Sequence, residues 1–326
     1  MFKDDEEDVI VSDNEGDKGN PFHKPAGSSD GGEFTSGPES GNGEQSESEK
    51  DPDLALLEEL GISAEDLQGI ADELEDLNQP MQIPLLNSVE EIENNIEKFF
   101  SKKVIATLES MVGATSDTQP YLFHPKANPN VSISIYTCVF GKYRYPDNNA
   151  KFIDRSEYNR LKQDPGYEKI FRGITAKDSY QLKNIVDSYG SFDFDHLEIY
   201  GNGVFGTNVY TTVNKDYAQS YASNYRGAGK IIYGLLSMDS HVISSDVLKR
   251  MKRNLNTTNI VARTKKHLLQ NGLSEERADL ISSQFGVAMT RDISLLGILL
   301  GYDYQISDGH QRNILNLSKW YILKED

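Results

Sequence analysis

Tyr200-Gly201-Asn202-Gly203-Val204-Phe205-Gly206-Thr207-Asn208-Val209-Tyr210-Thr211-Thr212 decides how the rest of the chain is read. Glycines permit positive φ angles or close backbone approach to a ligand. The run after Gly206 is rich in β-formers. The stretch therefore predicts a glycine-rich loop entering a strand, followed by a helix that carries Ala218 and Tyr221-Ala222. Tyr210 and Tyr221 stand 11 residues apart, one on the strand and one on the helix. Two rings so placed can converge on a flat ligand, one stacking on it and one walling it. The loop fits neither GxxxxGK followed by Ser or Thr, nor GxGxxG, so it is not a standard phosphate cradle. Hairpin punctuation by the glycines, and plain core packing for two of the 17 tyrosines, are the competing readings.

Two further pieces belong with it. Phe171-Arg172-Gly173 falls in an apolar strand over Lys169–Ile174. Downstream, Leu300-Gly301-Tyr302-Asp303-Tyr304 precedes a last strand expected over Asn313–Ser318.

In this order the three pieces resemble the ADP-ribosyltransferase superfamily. They are similar to the ADP-ribosyltransferase domain of bacteriophage minor head proteins. Phe205 to Tyr221 is also similar to the poly(ADP-ribose) polymerase signature, including its tyrosine spacing. The resemblance covers about residues 166–321. It implies NAD as a substrate, with no metal. Arg172 would contact the NAD phosphates or the adenosine-side ribose, a bidentate task suited to guanidinium. Gly173 would offer its backbone to the nicotinamide carboxamide. Tyr210 and Tyr221 would frame the nicotinamide ring beside Phe205 and Gly206, and Thr211 and Thr212 would brace the site. Cleavage of the nicotinamide–ribose bond passes through an oxocarbenium-like centre, which a site stabilises by orientation and charge.

The family places a glutamate ahead of the last strand. Here that position falls on Gln311, and no Glu lies between Glu276 and Glu325. Gln311 can bond a hydroxyl but takes no proton. Asp308 is the nearest acid. General-base help is worth about 10²–10⁴-fold, so the departure opens three outcomes. These are a slow transferase acting on a host protein or nucleic acid, an NAD glycohydrolase, and a decayed domain kept as a virion or head-associated structural protein.

Charge is unevenly placed. Residues 1–80 hold 24 acids against 4 lysines, a net of −20; the remainder holds 27 acids and 29 bases, a net of +2. Residues 1–53 are too poor in apolar groups to offset ordering entropy of about 1–2 kcal/mol per residue. They predict a disordered acidic arm, either a solubilising tail or a dock for a basic partner. Residues 54–80 predict a short acidic helical hairpin with Leu54, Leu57 and Leu60 at helical spacing. The acidic start, Met1 to Asp8, does not match a secretory signal. No long apolar run predicts a membrane span. These features predict a protein of the cytoplasm or of a particle assembled there, and the resemblance implies that it is phage-encoded, in the host cytoplasm or on the virion. The single cysteine, Cys138, excludes an intrachain disulfide or a Cys-rich zinc site. Asp193, Asp195 and His196, with His241 or His310, match no metal-ligand spacing. The basic concentration from Lys249 to His267 lacks interleaved aromatics and reads as a solvated helix face, with a phosphate-rich target and the chain's own acidic arm as the alternatives.

Residues 88–165 predict a lead-in. Ser88-Val89-Glu90-Glu91 fits a capping box opening one helix through Ile92, Phe100 and Leu108. Val131, Ile133 and Ile135 alternate as a half-buried strand. Residues 166–326 predict an α+β split sandwich: two small antiparallel sheets around an NAD cleft, with the 88–160 helices outside and a helical stretch from about 245 to 285.

Overall fold

The computed structural model describes Ser63 and residues 83–112, 121–125, 132–145, 147–192, 194, 197–223 and 228–324. The chain divides into two units, Met1–Ile62 and Ser63–Asp326. Every element below belongs to the second. The expected arm over 1–53 and hairpin over 54–80 lie outside the described residues, Ser63 aside.

The chain enters through α1 (Val89–Asn94), α2 (Ile96–Phe99) and α3 (Lys102–Val112). The expected single helix is thus three. Ser88 accepts from the Glu91 amide, and Glu91 accepts in turn from the Asn87 amide. The first break falls at Asn95, whose side chain bonds back to the Glu91 carbonyl. Ser101 then caps a new helix through Val104. Ile92, Ile96, Phe99, Phe100, Ile105 and Leu108 are nevertheless all buried.

A short antiparallel pair follows, β1 (Leu122–Phe123) with β2 (Ile133–Ser134), and then α4 (Ile135–Arg144). Ile135 therefore opens a helix and does not extend a strand; Val131 lies outside the described residues. Ser134 caps α4 through the Thr137 amide. This helix is not on the outside. Ile135 to Gly141 are all buried, and Phe140 packs with Phe99, Phe100 and Phe285 at ring separations of 5.1–6.4 Å around the cluster. Burial on every side erases the polar face that would have announced a helix.

Next come β3 (Lys151–Ile153), α5 (Arg155–Leu161), β4 (Tyr167–Ala176), α6 (Ser179–Ser188), β5 (Gly201–Gly203), β6 (Gly206–Thr212), α7 (Lys215–Ser223) and β7 (Ala228–Ser237). Then follow β8 (Val242–Ser244), α8 (Ser245–Lys252), α9 (Thr257–Gln270), α10 (Glu275–Arg291), α11 (Ile293–Leu300), β9 (Tyr304–Ser307), β10 (Gln311–Ile314) and β11 (Trp320–Leu323). The helical stretch runs to Leu300, well past 285. Ile293–Leu300 is apolar and wholly buried; periodicity cannot tell such a run from a strand. Asp292 caps its start, and Gly301, at φ 94°, ends it. The expected last strand over Asn313–Ser318 stops at Ile314. Asn316 turns the chain by accepting from Ser318, and Trp320–Leu323 forms the true last strand.

The main sheet has nine strands in the order β3-β11-β7-β4-β6-β10-β9-β8, with β5 paired to β6. Pairing is antiparallel except for β3 with β11 and β8 with β9. This is a mixed α and β architecture with one large sheet and one two-stranded pair, where two small sheets were expected. The large sheet nonetheless has a weak seam. β4 pairs with β7 over its whole length but meets β6 at one register pair, Phe171 with Thr212. Among the described residues, no helix is long and apolar enough to cross a membrane.

Candidate functional site

The glycine stretch folds as a hairpin. β5 and β6 pair from Gly201 with Asn208 to Gly203 with Gly206. Gly206 has φ 87°, and any Cβ there would strike the Asp292 carboxylate. That carboxylate anchors the hairpin from below. It accepts from the Thr207 amide at 3.1 Å, the Ser294 amide at 2.9 Å and the Thr137 hydroxyl at 2.8 Å. Burial pushes the Asp292 carboxyl above the usual aspartate range, against the pull of these donors.

Beyond the single β4–β6 pair the strands part, and a cleft of about 640 Å³ opens at the seam. Arg172, Gly173, Tyr210, Thr211, Thr212, Tyr221 and Gln311 all line it. Phe205, Gly206 and Asp308 do not. Phe205 is buried in the helical core, where Lys249 lies over its ring. Asp308 is exposed in the β9–β10 turn at φ 51°, next to Gly309 at φ 72°. Among the described residues, no Asp or Glu lines the cleft.

Arg172 sits in a web of acceptors. Nε donates to the Tyr189 hydroxyl at 2.8 Å, Nη1 to the Tyr210 carbonyl at 2.8 Å and Nη2 to the Ile199 carbonyl at 2.9 Å. The guanidinium thus stitches β4 to β6 and to the turn before β5. Two of its five N–H groups remain beyond these three bonds. Gly173 has a packing reason to be glycine: a Cβ there would overlap the Ala218 carbonyl of α7. Gly229 on β7 meets the Ala222 carbonyl in the same way. The two glycines let α7 lie close on the sheet beside the seam.

Tyr210 packs its ring against Gly201 and Gly203, where a Cβ would crowd it, and its hydroxyl donates to the Gly206 carbonyl at 2.6 Å. Burial drives its pKa upward, so it stays a neutral phenol. Thr211 donates to the Arg312 carbonyl at 2.6 Å, and Thr212 to the His310 carbonyl at 3.2 Å. Both threonines clamp β10 and so hold Gln311 opposite Thr212. Arg312 then forks onto Glu168 of β4 at 2.7 and 2.8 Å, a second tie across the seam.

One participant escaped the sequence reading. Tyr217, on α7 one turn before Tyr221, lines the cleft, and its hydroxyl accepts from Gln311 Nε2 at 3.0 Å. The Tyr217 and Tyr221 hydroxyls are 3.1 Å apart. The helical i, i+4 spacing of Tyr217 and Tyr221 was the available signal. Leu122 of β1 and Ser132, the residue before β2, also reach the cleft, so the lead-in is part of the site's wall.

Against known proteins, no family model, no curated protein and no solved structure matches this chain.

Proposed function

We propose that the cleft binds NAD and that the protein transfers ADP-ribose from it to an acceptor macromolecule. One observation supports this reading above the rest: Arg172, Gly173, Tyr210 and Tyr221, which the resemblance singles out from three separate places in the chain, line one cleft. The volume of about 640 Å³ lies within the range of about 300–1,000 Å³ usual for cofactor and small-molecule sites. Its tyrosines suit a flat ring, and the Arg172 guanidinium keeps two N–H groups for an anion.

In this reading the nicotinamide–ribose bond breaks and nicotinamide leaves with the bonding electrons. The acceptor's nucleophile attacks the anomeric carbon and loses its proton to solvent or to a base of its own. Gln311 holds a hydroxyl and cannot take that proton. The rate then rests on orientation and on dipoles aimed at the cationic centre. Gln311, which lines the cleft and takes no proton from an acceptor, supports a second reading, slow hydrolysis of NAD with water as the acceptor.

Incubating the protein with NAD labelled on the adenine and with lysate, while following nicotinamide, separates these readings. Label on a macromolecule supports transfer. Nicotinamide without label supports hydrolysis. Neither product, together with no heat of NAD binding in calorimetry, defeats both.

A further inference from the structure

Tyr217 is held from two sides. Its ring stands edge-on to His310 at 4.8 Å and to Tyr221 at 5.3 Å. An amide nitrogen can only donate, so in the 3.0 Å contact the Tyr217 oxygen accepts from Gln311 Nε2. The phenol's own hydrogen is then available to the Tyr221 oxygen 3.1 Å away. A side-chain amide has one donor end and one acceptor end. Fixing Nε2 on Tyr217 fixes the other end too. Gln311 is only 9% exposed and lines the cleft, and its Oε1 is buried without a hydrogen-bond partner. A buried carbonyl oxygen in that state is costly unless a donor arrives.

We propose that Tyr217 is a positioning residue: it holds the Gln311 amide in one orientation, so that Oε1 meets the ligand as an acceptor and the site selects a hydroxyl or N–H at that point. The reversed amide would present two N–H groups and select a phosphate or carbonyl oxygen. The phenol decides this because it gives its hydrogen to Tyr221 in this arrangement, which leaves its oxygen to accept from Gln311 and not to donate to it. The identity of the donor rests on the NAD reading, where it is a ribose hydroxyl.

Two measurements on the full chain test this. In protein labelled with ¹⁵N at glutamine side chains, Gln311→Ala identifies the Gln311 amide resonances. In the wild type one Nε2 proton is shifted from the free-amide position and exchanges slowly with solvent; Tyr217→Phe, which keeps the ring, returns it to the free position. Resonances unchanged by Tyr217→Phe overturn the proposal. The second measurement is NAD binding by calorimetry in a double-mutant cycle. Tyr217→Phe weakens binding about 3- to 10-fold in the wild-type background, the worth of one neutral hydrogen bond, and leaves it unchanged in the Gln311→Ala background. Equal losses in both backgrounds mean that Tyr217 acts on the ligand directly, which also overturns the proposal. A wild type that binds no NAD defeats the functional reading instead, and the amide resonances still decide the orientation.

Discussion

Arg172 and Tyr210 are joined directly: Nη1 of the arginine donates to the tyrosine's main-chain oxygen at 2.8 Å, across the seam where β4 and β6 part. The arginine singled out for a ligand is therefore also a clamp that sets the width of the cleft. Arg172→Lys keeps the charge but replaces a three-way fork with a point donor. The expected cost is about 1–3 kcal/mol, from net hydrogen-bond values, with weaker NAD binding alongside it. Urea denaturation of the full chain measures the first and calorimetry the second. An unshifted denaturation midpoint would remove the clamp from the account.

Gly173 and Gly229 form a natural control pair. Both sit under α7, but only Gly173 lines the cleft. Gly173→Ala and Gly229→Ala each force α7 off the sheet, at about 1–3 kcal/mol for overpacking, or a fall of about 3–10 °C in Tm. Gly173→Ala should lose NAD affinity beyond what Gly229→Ala loses. Equal losses in calorimetry would assign Gly173 to packing alone.

In the proposed reading, Gln311 and Asp308 are the two candidates for the position that an ADP-ribosyltransferase fills with glutamate. Gln311→Glu puts a carboxylate into the cleft, and nicotinamide release should rise about 10- to 100-fold, toward the usual worth of a general base. Burial there raises a carboxyl's pKa, so the gain should grow with pH across about 5 to 7. Asp308→Asn keeps a residue tolerant of positive φ in the exposed turn and should change release less than about 2-fold, as surface substitutions do. A large loss in Asp308→Asn with no gain in Gln311→Glu would reverse the assignment.

Asp292 makes stability depend on pH in a defined direction. Its folded-state pKa is raised because burial outweighs its donors. The native state therefore binds this proton more tightly than the unfolded chain does. Stability from this group is full below the unfolded value of about 3.9 and falls as pH rises through the raised folded value. Asp292→Asn does not titrate. The stability of the wild type relative to that variant should thus decline as pH rises from about 4, then level off. Urea denaturation at a series of pH values checks this, and a constant difference from about pH 4 to 7 would contradict it.

Legibility varied with how locally each feature is encoded. The cap at Ser88 was readable because a cap and its amide are three residues apart. Strand β4 was readable from Lys169–Ile174. Ile293–Leu300 and Ile135–Arg144 were not, because helices buried on all sides carry no polar stripe. The hydrogen bond between Gln311 and Tyr217 spans 94 residues, and no local pattern encodes it.

By itself the sequence determined where the acid lies, that one cysteine precludes an intrachain disulfide, and which glycines and tyrosines recur in a suggestive order. Those are properties of composition and spacing, which survive in an unfolded chain. Only the tertiary structure decided that β4 and β6 separate after one pair, that Arg172 spans the gap, and that Gln311 meets Tyr217 while Asp308 stays in an exposed turn. These depend on which backbone edges are paired and which side chains share a buried volume, and packing between distant segments sets both.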